Sequence, residues 1–429
     1  MADPHRQYEI RCPIHGFVAL NDWEREIISQ APFQRLRRIR QLAWTDLVYP
    51  GAMHTRFEHS LGVMHVATQL YEAIVKRSAE LLKSELAYTD DGLRRDRTLV
   101  RLTALLHDVG HGPFSHPAEG LFPDNPAGEK YEHEDYSAAV ISEKLRDTIE
   151  GHPLNQNVGL RAEDVTALLH GSSAAGRSLF WRELITGQID ADRIDYLLRD
   201  SHHAGVDYGR FDWRRLLCTV EAVPGDEGGG PRLGVGEGGW HAAEALVLAR
   251  YLMFTQVYFH KTRVAFDHHL YHALATMLPN SQFPRPTGSD LDQYLEWDDW
   301  RVLGLLAAGQ GGDHGQRIAQ RNHFREVYHT PENPKRKDLK ALDQVRATLG
   351  DLLKAEEHAE KSWYKVGSAD IPVAGDGNKK TARPLSDYSS VVASIKPIRK
   401  VMLFVDEKDK DAARERIAAV QTRKPRKKP

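Results

Sequence analysis

The chain has 429 residues and a mass of 48.5 kDa, ample to bury a large core without disulfide or metal staples. Hydrophobic residues make up 41% and charged residues 28%, and 58 basic against 60 acidic side chains leave a formal charge of −2, which excludes a polycationic surface. The two cysteines, Cys12 and Cys218, exclude a disulfide scaffold, and no run reaches the roughly 18 apolar residues of a membrane span.

The opening MADPHRQYEI has no apolar signal core, so a cytoplasmic protein without membrane association is expected. Residues 1–20 read as a short extended entry, and helical patterns dominate from about Trp23. Val63, Ala67, Leu70 and Ile74 recur on one face of a helix within 58–77. Leu99, Leu102, Leu105 and Leu106 mark a second helix over 97–108, stopped at Gly110. Residues 123–132 are loop-like, a helix runs from about Glu134 to Arg146, and 179–200 reads as two helical pieces around GQIDAD. The stretch 222–239 holds eight glycines and two prolines and reads as a loop or hairpin excursion. A long apolar helix from Trp240 to about Lys261 continues in pattern toward Leu278. Residues 279–290 mark a boundary. Beyond it come a solvated connector at 330–341, strand and loop character over 370–385, and a final strand and helix in VMLFVD and EKDKDAARERIAAV. Residues 421–429 carry five basic side chains and two prolines and read as a disordered tail. Contact with single-stranded nucleic acid and mere solubility are equal readings of that tail.

The chemistry concentrates in histidine clusters. His107-Asp108 ends an apolar helix beside Gly110 and Gly112, where the backbone can turn and let both side chains converge on one ion. Imidazole plus carboxylate is a mixed ligand set that suits divalent Mn, Fe, Co, Ni or Zn without choosing among them. His59 and Asp192, each near a helix end, are the candidates for completing it. Asp190 reads as a helix cap, and His241, His268, His269 and His272 as packing or surface residues.

The order His59, His107-Asp108, Asp192 resembles the HD superfamily of metal-dependent phosphohydrolases. The strings PIHG, FQRLRRIRQL, PGAMHTRFEHSLGV, LLHDVGHGPFSH and DADRIDYLLRDSHHAG are similar to its deoxynucleoside-triphosphate triphosphohydrolase branch, which includes the SAM-and-HD-domain enzymes of animals. The resemblance covers roughly residues 9–280. It implies a mainly α fold, with an HD helical core over 1–280 (the excursion 222–239 included), a small α+β C-terminal lobe over 281–420, and the basic tail. By the resemblance His59, His107, Asp108 and Asp192 are metal ligands, with Asp192 also catalytic. Arg56, His111, His116, Arg193, Tyr196 and Arg250 face the phosphates, with Mg accompanying them. His133 in YEHED is the proton donor, supported by Glu119 where the animal enzyme has aspartate. Gln41 and Asp200 contact the 3′-hydroxyl, and Leu42 and Tyr258 crowd the 2′ position. Arg193 replaces a lysine common in relatives, and Phe254 replaces a histidine. The basic run Arg35, Arg37, Arg38 and Arg40, ordinarily a solvated face, borders an oligomer or nucleotide surface within this family. The implied activity is hydrolysis of a deoxynucleoside triphosphate (dNTP) to deoxynucleoside and inorganic triphosphate by a homo-oligomer, in pool balance or phage defence. An HD-type nuclease acting on DNA and a non-catalytic dNTP sensor are the alternatives.

Overall fold

The computed structural model describes residues 7–225, 229–361, 364, 370–375 and 382–421. The basic tail beyond 421 and residues 226–228 of the glycine-rich excursion lie outside the described residues. The chain opens as an antiparallel hairpin, β1 (Tyr8–Cys12) and β2 (Gly16–Leu20), with Gly16 at φ 80°, a value that favours glycine. Asn21 and Glu24 form a reciprocal capping box that starts α1 (Asp22–Ser29). Helix α2 (Arg56–Leu86) is longer than the predicted 58–77, and buries Val63, Ala67, Leu70 and Ile74 as their spacing requires. It packs along α3 (Asp90–Leu106).

The predicted helix from Glu134 to Arg146 is interrupted. α4 (His133–Ala139) runs into a π-helical turn at Val140–Lys144. After α5 (Ala162–His170), α6 (Ala191–Ala204) lies against α2. The glycine-rich excursion is a hairpin of β3 (Val220–Val223) and β4 (Arg232–Gly236). The long apolar pattern that follows is two helices. α7 (Trp240–Met253) ends in a π-helical turn at Phe254–Tyr258, and His260 then caps α8 (Lys261–Met277) by accepting the Thr262 amide at 3.3 Å.

Helices α9 (Asp299–Ala307) and α10 (Gly312–Ala319) lead into β5 (Arg325–His329). The expected connector at 330–341 is half helical, because α11 (Arg336–Leu349) already begins within it. Its charged composition masks the buried stripe Leu342, Val345 and Leu349. β6 (Leu353–Lys361), β7 (Pro372–Ala374), β8 (Ala382–Pro384), β9 (Ile398–Val405) and α12 (Lys410–Gln421) complete the chain.

One sheet runs β5-β9-β6 and another β3-β4-β7-β8, in which β4 and β7 pair in parallel with Val235 opposite Val373. Alternation along β9 serves two cores. Val401, Leu403 and Val405 pack with the apolar stripes of α11 and α12, while Met402 and Phe404 pack with Ala265 of α8. The molecule is thus mainly helical, with a small α+β lobe seated on α8. Among the described residues no helix is long and apolar enough to cross a membrane.

Candidate active site and metal centre

Three helix ends meet at the centre of the core. The first turn of α2 supplies Arg56 and His59, the end of α3 leads into His107 and Asp108, and the first turn of α6 supplies Asp192. Asp190 caps α6 by accepting the Arg193 amide at 2.7 Å, the role its position predicted. His59, His107 and Asp108 offer ligand atoms all within 4.8 Å of one another. Asp192 lies outside that tight group, with one oxygen 3.0 Å from His59 Nε2 and 3.8 Å from His107 Nε2.

The donor set fits a divalent ion. His107 donates from Nδ1 to the Ala104 carbonyl at 2.8 Å, and His59 donates from Nδ1 to Asp195 at 2.8 Å. With Nδ1 so engaged, each ring turns its Nε2 inward, and that is the nitrogen a metal would take. Both Nε2 atoms are buried and make no directional hydrogen bond, although carboxylate oxygens face them at 3.0 to 3.8 Å. Burial pushes the His59 imidazole down, but Asp192 and Asp195 outweigh it and raise it to about 10. A metal ion bound there would displace that proton. Asp108 is held well below the usual carboxylate range. Burial opposes this, but the Arg56 and His107 charges and a hydrogen bond from His111 prevail. Arg56 donates to Asp108 and, at 2.7 Å, to Ser115.

Beside this cluster sits a second one. His133 and His116 each place Nδ1 2.9 Å from the same Glu119 oxygen, and the His111 ring stacks on His133 with centroids 3.8 Å apart. His133 Nε2 lies 3.9 Å from Asp108. Burial lowers the His133 imidazole, yet the Glu119 hydrogen bond and charge raise it to about 9. His111 is pushed well below its ordinary value by burial and by the Arg56 and His133 charges. One imidazole of the stack thus favours the charged form and its neighbour the neutral form. This quartet could itself hold a cation.

Along α6 from Asp192 follow Arg193, Tyr196 and Asp200. Arg193 lies 3.2 Å from Asp190, and the Tyr196 ring meets Tyr258 edge to face at 6.2 Å. Asp200 is buried, accepts the Tyr258 hydroxyl at 2.6 Å, and pairs with His54 at 2.8 Å. The Gln41 amide donates to the His54 carbonyl at 3.1 Å, and the Gln41 side-chain oxygen is buried without a hydrogen-bond partner. His54 thereby joins both residues assigned to the 3′-hydroxyl. Leu42 packs half-buried on the core. Arg250 is buried, with its guanidinium over the Phe254 ring, and its charge acts on Tyr196.

The basic run departs from expectation. Arg35 is fully buried, donating to the Trp297 carbonyl at 2.6 and 3.1 Å and to the His111 carbonyl at 2.8 Å. Arg37 remains exposed, and Arg38 pairs with Asp298. Asp299 holds the loop ahead of His116 by accepting the Phe114 amide at 2.7 Å, and Phe114 and Ser115 both adopt positive φ. The sequence assigns no role to Asp299, His54 or Asp195, and it places Arg35 on a surface that the structure shows it does not occupy. PIHG and DADRIDYLLRD were visible strings, but burial and partner identity are not written in them.

Residues 56–200 match the HD domain family and residues 211–361 the HD associated region. The chain thus carries an HD domain followed by an HD associated region. It is 37% identical over 251 residues to the uncharacterized protein YwfO of Bacillus subtilis, covering 58% of this chain and 51% of that protein. It is 35% identical over 237 residues to human deoxynucleoside triphosphate triphosphohydrolase SAMHD1, covering 49% of this chain and 36% of that protein. A crystal structure of a hypothetical protein from Aquifex aeolicus superposes with a TM-score of 0.77 at 29% identity, over 96% of this chain and 100% of that one. The chain spans about half the length, or less, of the curated relatives it matches.

Proposed function

We propose that this chain is a metal-dependent phosphohydrolase that converts deoxynucleoside triphosphates to deoxynucleoside and inorganic triphosphate. One juxtaposition carries the reading. The His59, His107 and Asp108 cluster lies beside a histidine whose proton is held up to about pH 9, with His133 Nε2 3.9 Å from Asp108. The similarity to proteins named dNTP triphosphohydrolases supports it. A divalent ion held by His59, His107, Asp108 and Asp192 would supply a Lewis acid and a lowered pKa for water.

The chain's own side chains do the remaining work in this reading. Arg56, Arg193 and Arg250, with His111, His116 and Tyr196, bind and orient the polyanion. Water adds to the α-phosphorus, the bond to O5′ breaks, and His133 protonates the departing O5′. Glu119 keeps the His133 ring oriented and charged until then. Gln41, Asp200, Leu42 and Tyr258 read the sugar. A homo-oligomer is part of the same proposal, and light scattering in solution measures it.

Product analysis tests the reaction. Purified protein is loaded with Mn, Fe, Co, Ni or Zn and given each dNTP with Mg, or single-stranded DNA. Free deoxynucleoside and inorganic triphosphate from dNTPs are expected. Monophosphates from DNA alone would identify a nuclease, and nucleotide binding without any product a sensor. Asp108→Ala should lose both metal and turnover, because no other side chain can replace that carboxylate. Full metal occupancy with normal activity in this variant would overturn the assignment.

A further inference from the structure

We propose that His15, on the N-terminal hairpin, is a positioning residue for the metal centre, acting through Asp195 on the ring of His59. The inference rests on the reading of His59 as a metal ligand. The hairpin precedes both matched family regions, which begin at residues 56 and 211.

A metal-binding imidazole needs its outer nitrogen fixed by an acceptor, so that its inner nitrogen keeps the correct tautomer and aim. For His59 that acceptor is Asp195, at 2.8 Å from Nδ1. Asp195 is itself held by three more donors. Arg199 gives Nε to one oxygen at 2.8 Å and Nη2 to the other at 2.9 Å, and His15 Nε2 stands 2.6 Å from that second oxygen. Four donors occupy about the four acceptor sites that a carboxylate has. The side chains of His15, His59, Asp195 and Arg199 are all fully shielded from solvent.

The tautomer of His15 follows from its surroundings. Its Nδ1 is buried with no hydrogen-bond partner, so the proton sits on Nε2 and is donated to Asp195. The hairpin is anchored to the network a second time, since Arg199 Nη2 also reaches Cys12 Sγ at 3.4 Å. Helix α2 passes this network at Gly62, where a Cβ would collide with an Asp195 oxygen and the Arg199 guanidinium. The network therefore lies directly against the helix that carries His59. Without His15, one Asp195 oxygen keeps only Arg199, and the carboxylate that aims His59 loses one of the four contacts that fix it.

Metal affinity and metal release measure this directly. Wild type, His15→Ala, His15→Leu and His15→Gln are loaded with Zn or with Mn. Affinity is taken from chelator competition, and the off-rate from release into excess chelator, well below each variant's unfolding temperature. His15→Ala and His15→Leu should bind metal roughly 10- to 100-fold more weakly. Leucine keeps packing against His65 and Trp213, which flank the His15 ring. It therefore serves should alanine unfold the hairpin. His15→Gln should restore most of the affinity, because its amide nitrogen can donate where Nε2 stood. Wild-type affinity and off-rate in both His15→Ala and His15→Leu would overturn the proposal alone. A wild-type protein that retains neither metal would overturn the metal reading, and this proposal with it.

Discussion

His133 and Glu119 form the pair on which the proposed chemistry turns. His133→Ala should lower kcat by roughly 10²- to 10⁴-fold while metal content stays intact. Metal analysis beside steady-state rates checks this, and loss of metal would make His133 a ligand instead. The charged imidazole is the donor, and the Glu119 carboxylate raises its pKa to about 9. Activity should therefore persist with rising pH and fall only as pH passes about 9. Glu119→Gln removes that support, so the alkaline limb should move to lower pH. At the sugar end, an apolar wall rejects an added hydroxyl by about 10²-fold. The reading then expects dGTP to be turned over well and GTP poorly. Equal kcat/KM for both would refute it. The order His59, His107-Asp108, Asp192 was legible because those residues lie at helix ends that periodicity can locate. His54 was not, because its importance lies in a carboxylate 146 positions away.

At the scale of elements, α8 and α10 meet through two imidazoles. His269 Nδ1 and His314 Nδ1 are 2.8 Å apart, and the Phe324 amide donates to His269 Nε2 at 3.1 Å. Only one proton can lie between the two rings. Burial and neighbouring charges lower His269 to about 2 and His314 to about 4, so both are neutral in the fold. Groups depressed in this way stabilise the fold above pH 6.5, and that stability is lost as pH falls from there toward 4. Thermal unfolding followed from pH 7.5 to 4.5 should show this decline, and His314→Gln should flatten it. By sequence His269 is a packing or surface residue, and its contact with His314 depends on how α10 folds back on α8. Helical periodicity was similarly readable in α2 and α3. The π-helical turns at Val140–Lys144 and Phe254–Tyr258 were not, since one inserted residue leaves composition unchanged.

Across the whole molecule, the region after residue 280 reaches back to the centre. Arg35 links carbonyls that lie 76 and 262 positions away, at His111 and Trp297. Asp299 joins the Arg40 and Phe114 amides at 2.8 and 2.7 Å. Asp299→Ala should leave those two amides unpaired, at roughly 1–3 kcal/mol for each buried group. A lower Tm and a loss of turnover larger than any loss of metal are expected. An unchanged Tm would remove Asp299 from this role. Such links escaped the sequence because a guanidinium on a backbone carbonyl leaves no paired signature in side-chain type.

Gly110 carries a consequence of its own. A Cβ there would run into the main chain of α4 at Tyr136 and Ser137, so the loop after Asp108 and the helix bearing His133 touch backbone to backbone. The Gly110 amide also donates to Ser137 Oγ, whose hydroxyl returns to the His107 carbonyl. The gap between Asp108 and His133 is therefore gauged by two polypeptide backbones and is insulated from drift in the surrounding side chains. Descendants of this chain could remodel the sugar and base walls freely, exploring new substrates, while inheriting the same span between acid and ion. Diversification around a fixed reactive gap is what such a contact permits.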